Sequence, residues 1–188
     1  MFVGAVSCDK ESEDISTVTT YATIEFDEFV VRSLGEAFTP SAIAFEGETE
    51  VDVLVSGSVN VNTIGVYVID YSAVNSDGFS AASSQTVIVY DPSVIPTDVT
   101  GAIQDKGRNE RKATITLVDG TTNIFFCTDF AFGGTFPMYF TMDGDTMIVI
   151  PQNFVFGVTS VDATYDSAAK EYAIVVNTQG FAYNFEYQ

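Results

Sequence analysis

The chain has no histidine and no tryptophan, only two cysteines, and only seven lysines and arginines against 26 aspartates and glutamates. Without histidine, the Ser-His-Asp and Cys-His arrangements that activate a nucleophile cannot be assembled, and imidazole-ligated metal sites are excluded as well. A formal net charge of −19 repels phosphate backbones, which rules out nucleic acid as a partner and disfavours anionic lipid surfaces. Gly133-Gly134 is a bare doublet, lacking the helix and lysine of a phosphate-binding loop. After Cys8 no apolar run is long enough to span a bilayer as a helix. The lack of tryptophan counts against a dedicated glycan platform, because that ring offers the largest stacking face.

What is present can fill real cores. Of the 188 residues 46% are apolar, with 16 phenylalanines and nine tyrosines, enough for one large or two small domains. Charge is unevenly spread: between Glu11 and Asp105 the only cation is Arg32, whereas Lys106, Arg108, Arg111 and Lys112 cluster just beyond. This step supports two modules, and pairing of the basic cluster with the acidic first module is the expected use of those cations.

The pattern along the chain is extended, with no helical periodicity. Residues 9–18 are polar and Ser/Thr-rich, as in a linker. Gly65 to Val74 is the clearest strand, with Tyr67, Ile69, Tyr71 and Ala73 on one face and Asp70 and Ser72 on the other. Asn75-Ser76-Asp77-Gly78 supplies a hairpin turn, because Asp-Gly tolerates the positive φ of a tight reversal. The return strand runs to Tyr90, and Asp91-Pro92 closes the unit. Short strands at about 8–12-residue spacing read as an antiparallel sandwich. Beyond residue 98, strands are expected over 111–118, 122–128, 136–142, 146–150, 159–165, 171–177 and 181–187, with turns at Asp119-Gly120 and Asp143-Gly144. Such a series suggests an up-and-down meander that closes into a small barrel or a sandwich.

Two resemblances add to this reading. Ala5-Val6-Ser7-Cys8 followed by Asp9-Lys10-Glu11-Ser12-Glu13-Asp14 resembles a bacterial lipoprotein cleavage site and an acidic tether. Ala5 stands where such sites usually carry leucine. Only Met1 to Ser7 precede Cys8, so Met1-Phe2-Val3-Gly4 reads as the tail of an apolar signal region. The resemblance implies lipidation at Cys8, an outer-membrane anchor and export to the cell surface. Cys127 would then be the one free thiol, no intramolecular disulfide would form, and Cys127 would act as a small buried hydrophobe.

The second resemblance lies in Gly35-Glu36-Ala37-Phe38, Val53-Leu54-Val55-Ser56-Gly57-Ser58-Val59-Asn60, the stretch from Asn62 to Tyr71, Asn75 to Phe79, and Thr86-Val87-Ile88-Val89. In order and spacing these are similar to a bacterial surface Ig-like repeat. The family implies a spacer or presenting module in surface lipoproteins, adhesins and glycan-utilisation proteins. It departs from the family where an aspartate-rich turn is replaced by Glu46-Gly47-Glu48-Thr49-Glu50-Val51-Asp52. The second half looks like the uncharacterised C-terminal β-domain that follows such repeats in lipoproteins of gut commensals. The expected organisation is a signal remnant and tether over 1–18, an Ig-like β-sandwich over 19–91, a linker over 92–97 and an antiparallel β-domain over 98–188, giving an all-β chain.

Two groups of residues are candidate sites. Glu46, Glu48, Glu50 and Asp52 recur at every second position, which on one strand would align four carboxylates for calcium. The preferred alternative is a solvated edge whose charges deter aggregation. Phe125, Phe126, Phe130, Phe132, Phe136, Tyr139 and Phe140 crowd around Gly133-Gly134 and Pro137. Exposed rings there would stack on sugar faces or on partner side chains, with Phe130, Phe132 and Phe136 as the candidate ligand-binding residues. The alternative is that the rings fill a core.

The expected function is that of a non-catalytic cell-surface lipoprotein that presents a β-domain for binding glycan or protein and is linked to nutrient uptake, since two small modules leave little room for a large substrate cleft. A purely structural interaction subunit is the alternative. A small glycosidase built on two carboxylates is the remaining reading, since 26 acidic residues do not forbid one.

Overall fold

The computed structural model describes residues 19–188 and is all-β, apart from one short 3-10 turn at Val155–Gly157. Cys8 and the tether over residues 9–18 lie outside the described residues. The strands are β1 (Thr23–Glu25), β2 (Phe29–Ser33), β3 (Ile43–Glu46), β4 (Thr49–Val51), β5 (Val53–Ser56), β6 (Gly65–Val74) and β7 (Ser80–Tyr90). There follow β8 (Gly101–Asp105), β9 (Arg108–Leu117), β10 (Ile124–Cys127), β11 (Met138–Asp143), β12 (Thr146–Val149), β13 (Val161–Asp166), β14 (Glu171–Val176) and β15 (Phe181–Tyr187).

The first seven strands form two sheets, β1-β3-β4 and β2-β7-β6-β5, with β2 running parallel to β7. The alternation in β6 sends Ile69, Tyr71 and Ala73 into the space between the sheets, where Ile24, Phe26, Val30 and Val87 meet them. Burying Tyr71 requires a partner for its hydroxyl. The hydroxyl donates to Gln85 Oε1 at 3.0 Å, and Gln85 in turn donates to the Asp27 carbonyl at 2.6 Å. Asn75 to Gly78 forms the expected hairpin turn, with Gly78 at φ +86°.

The other eight strands make a single sheet in the order β12-β11-β10-β9-β8-β15-β14-β13. Because β15 pairs with β8 and β12 lies beside β13, the strands follow one another around a nearly closed barrel, with the β12–β13 seam not hydrogen-bonded. Strand β8 was absent from the sequence expectation because Ile103 is its only large apolar residue. The barrel is filled by Phe125, Phe130, Phe136, Met138, Phe140, Ile174 and Phe185, all essentially buried.

The two parts share a third core. Ile88 and Tyr90 from β7 pack with Val118, Ile124 and Ile150, flanked by Val66, Phe126 and Tyr139. The Val66 N–H donates to the Pro151 carbonyl at 2.9 Å, and the Asn123 amide donates to the carbonyls of Asp91 and Val94 at 2.7 and 2.9 Å. The interface is therefore a packed joint. The Gly65 end of β6 faces it, while the Asn75 amide at the opposite end binds the Thr20 carbonyl at 2.8 Å. A strand rises about 3.3 Å per residue, so the ten-residue β6 places the entry of the chain about 30 Å from the joint.

Candidate functional site

Strand directions define two ends of the barrel. The joint and the turns at Asp119-Gly120 and Asp143-Gly144 lie at one end. At the other, the β10–β11 loop, the β12–β13 connection and the β14–β15 turn converge. These three segments bring Phe132, Phe156 and Phe181 together. Phe132 lies edge-on to Phe156 and to Phe181, with centroids 5.6 and 6.0 Å apart. Phe156 and Phe181 keep 65% and 50% of their surface exposed, so this rim is an apolar face open to solvent.

The rim is held by an unusual backbone. Phe132 and Phe156 adopt φ of +59° and +57°, a region costly for a bulky L-residue. The β10–β11 loop is organised from beneath by Asp129, which is 3% exposed. Its carboxylate accepts the backbone N–H groups of Ala131 at 3.0 Å, Phe136 at 3.2 Å and Gly134. Three charge-assisted bonds to one buried carboxylate fix the path that turns Phe132 outward.

This path corrects part of the sequence expectation. Phe130 and Phe136 have no exposed surface and belong to the barrel core, where Phe130 packs against Phe140, Tyr172 and Phe185. They cannot stack on a ligand, because the loop folds into the barrel mouth around Asp129. Phe132 alone of the three reaches the rim, half-buried. Phe156 and Phe181 were missed, although a signal was present: each, like Phe132, adjoins a glycine with positive φ, namely Gly157, Gly180 and Gly133.

The basic cluster also departs from expectation. Lys106 pairs with Glu171 at 2.5 Å, and Arg108 and Arg111 each approach Asp105 at 4.0 Å, so these cations serve the second part of the chain and not the acidic first part. The Arg111 guanidinium also lies over the Tyr183 ring at 5.5 Å, just inside the rim.

The alignment of four carboxylates does not form. Gly47-Glu48 is the turn of the β3–β4 hairpin, with Gly47 at φ +63°, and Asp52 falls between β4 and β5. Glu46, Glu48, Glu50 and Asp52 are therefore spread around a reversal instead of along one strand. Glu46 instead accepts the backbone N–H and hydroxyl of Ser76, both at 2.7 Å, which hold its carboxyl below the usual carboxylate range. Among the described residues, no group of three or more Cys, Asp or Glu is placed to hold a metal ion. Cys127 is a free thiol, fully buried in the barrel, and burial pushes its pKa well up, away from reactivity.

An immunoglobulin-like sandwich joined to an eight-stranded barrel defines the class. Residues 22–89, the first part of the chain, match the family model described as bacterial surface protein, Ig-like domain. Among solved structures, a lipoprotein from Bacteroides thetaiotaomicron is similar at 22% identity and a TM-score of 0.45, over 88% of this chain and 98% of that one. Comparison with curated proteins found no match.

Proposed function

We propose that this is a non-catalytic lipoprotein of the bacterial cell surface, anchored in the outer membrane through Cys8, whose Ig-like domain holds the barrel outward to bind polysaccharide for nutrient uptake. The observation that carries the reading is the rim of Phe132, Phe156 and Phe181, with Phe156 and Phe181 exposed and Phe132 and Phe156 on a left-handed backbone that costs stability to maintain. Packing on the barrel core accounts for Phe132 in part, whereas the exposed rings of Phe156 and Phe181 are free to stack on sugar faces. The surface family of the Ig-like domain and the chain's entry at the end remote from the joint support outward display.

A second reading is favoured by the rim's chemistry: phenylalanine brings no hydrogen-bonding group, which also suits an apolar patch on a partner protein. Affinity electrophoresis through gels containing soluble polysaccharides separates the two. Retardation of the full chain that is lost on joint Phe156→Ser and Phe181→Ser substitution supports the first reading, and unretarded migration in every gel favours the second. Release of reducing sugar from any polysaccharide would overturn the non-catalytic assignment.

A further inference from the structure

At the joint-facing end of the barrel, opposite the rim, lies a cleft of about 490 Å³ lined by Thr97, Asp98, Thr100, Tyr165, Lys170 and Tyr187. Two of its lining residues are tyrosines, Tyr165 from β13 and Tyr187 from β15, and both pack on the buried Tyr172 of β14. The Tyr172 and Tyr187 hydroxyls are 2.6 Å apart, Tyr187 donates to the Val99 carbonyl at 2.8 Å, and the Tyr165 ring lies 4.9 Å from that of Tyr172. Tyr172 is buried, while Tyr165 and Tyr187 remain half-open to the cleft.

The floor is pre-organised. Gly101, at φ +150°, lets the Tyr187 ring lie against the backbone, since a Cβ there would sit 2.9 Å from a ring carbon. The wall is fixed as well. Asp145 accepts the Thr97 hydroxyl at 2.6 Å and a bond from Ser167, and Asp98 accepts both the N–H and hydroxyl of Thr100 at 2.9 Å. Burial raises the pKa of all three phenols, so they stay protonated, and the hydroxyls of Tyr172 and Tyr187 are held within this internal network.

The charges decide what fits. Among the lining residues one carboxylate, Asp98, faces one ammonium, Lys170, so the cleft offers no net charge for an ion to follow. Two half-open tyrosine faces, the Lys170 ammonium as donor and the Asp98 carboxylate as acceptor remain, the complement of an uncharged ring bearing hydroxyls on its edge and C–H groups on its face. We propose that the cleft is a binding site for a neutral saccharide, distinct from the phenylalanine rim and independent of it.

Calorimetric titration of the full chain with maltoheptaose, cellohexaose and mannohexaose tests this. At least one should bind, its affinity falling about tenfold or more, or 1.4 kcal/mol, on Tyr165→Ala and on Asp98→Ala, and staying unchanged on Phe156→Ser. Asp98 is exposed, so its variant decides the matter if Tyr165→Ala does not fold. No binding of any of the three, or binding that survives Asp98→Ala and is lost on Phe156→Ser, would overturn the cleft; the latter outcome would leave the rim standing. Tighter binding of a galacturonate or glucosamine oligomer would also overturn it.

Discussion

Phe132 meets Phe156 edge-on at 5.6 Å and an interplanar angle of 84°, although the two stand on separate loops and both hold a left-handed backbone. On the Phe132 side the buried Asp129 carboxylate holds the loop, accepting the N–H groups of Ala131, Gly134 and Phe136.

Asp129→Ala leaves three backbone N–H groups without their acceptor. A buried donor left unsatisfied costs about 1–3 kcal/mol. The variant should lose stability of that order in urea denaturation, and the amides of Ala131, Gly134 and Phe136 should exchange faster with solvent. Unchanged exchange at these amides would show that the loop is held by something else.

The shared core of Ile88, Tyr90, Val118, Ile124 and Ile150 couples the two parts of the chain. Removing a buried isoleucine side chain down to alanine costs about 2–5 kcal/mol. Ile88→Ala should therefore lower a single calorimetric transition that includes the barrel. Two separate transitions, with the barrel's unmoved, would contradict a coupled joint.

The tyrosines of the cleft set an alkaline limit. Burial raises the folded pKa of Tyr172 above its ordinary value of 10.0, so its contribution is fully present below that pH and is lost as pH rises through the window above it. Stability measured against pH should fall above about pH 10, and Tyr172→Phe should make that decline shallower. An identical alkaline slope in the variant would contradict this.

Much of the fold was legible because it rests on local patterns. The alternation of Tyr67, Ile69 and Tyr71 could place only one face inward, and Asp77-Gly78 suited a reversal. What escaped the sequence depends on contacts between distant segments. The even spacing of Glu46, Glu48, Glu50 and Asp52 implied a continuous strand, but Gly47 reverses the chain within it. Phe130 and Phe132 look alike in sequence, yet the loop N–H groups that donate to Asp129 send one into the barrel and the other to its rim. Phe156 and Phe181 join that rim from connections that only barrel closure brings together.

Display of the rim outside the cell is the central claim, and the chemistry of this chain offers a direct measurement. Cys127 is buried, and lipidation would block Cys8, so a cysteine introduced by Gln179→Cys in the β14–β15 turn would be the only reactive thiol. On intact cells, a membrane-impermeant maleimide should label the Gln179→Cys protein and leave the parent unlabelled. Labelling of the variant only after the cells are lysed would contradict outward display of the rim.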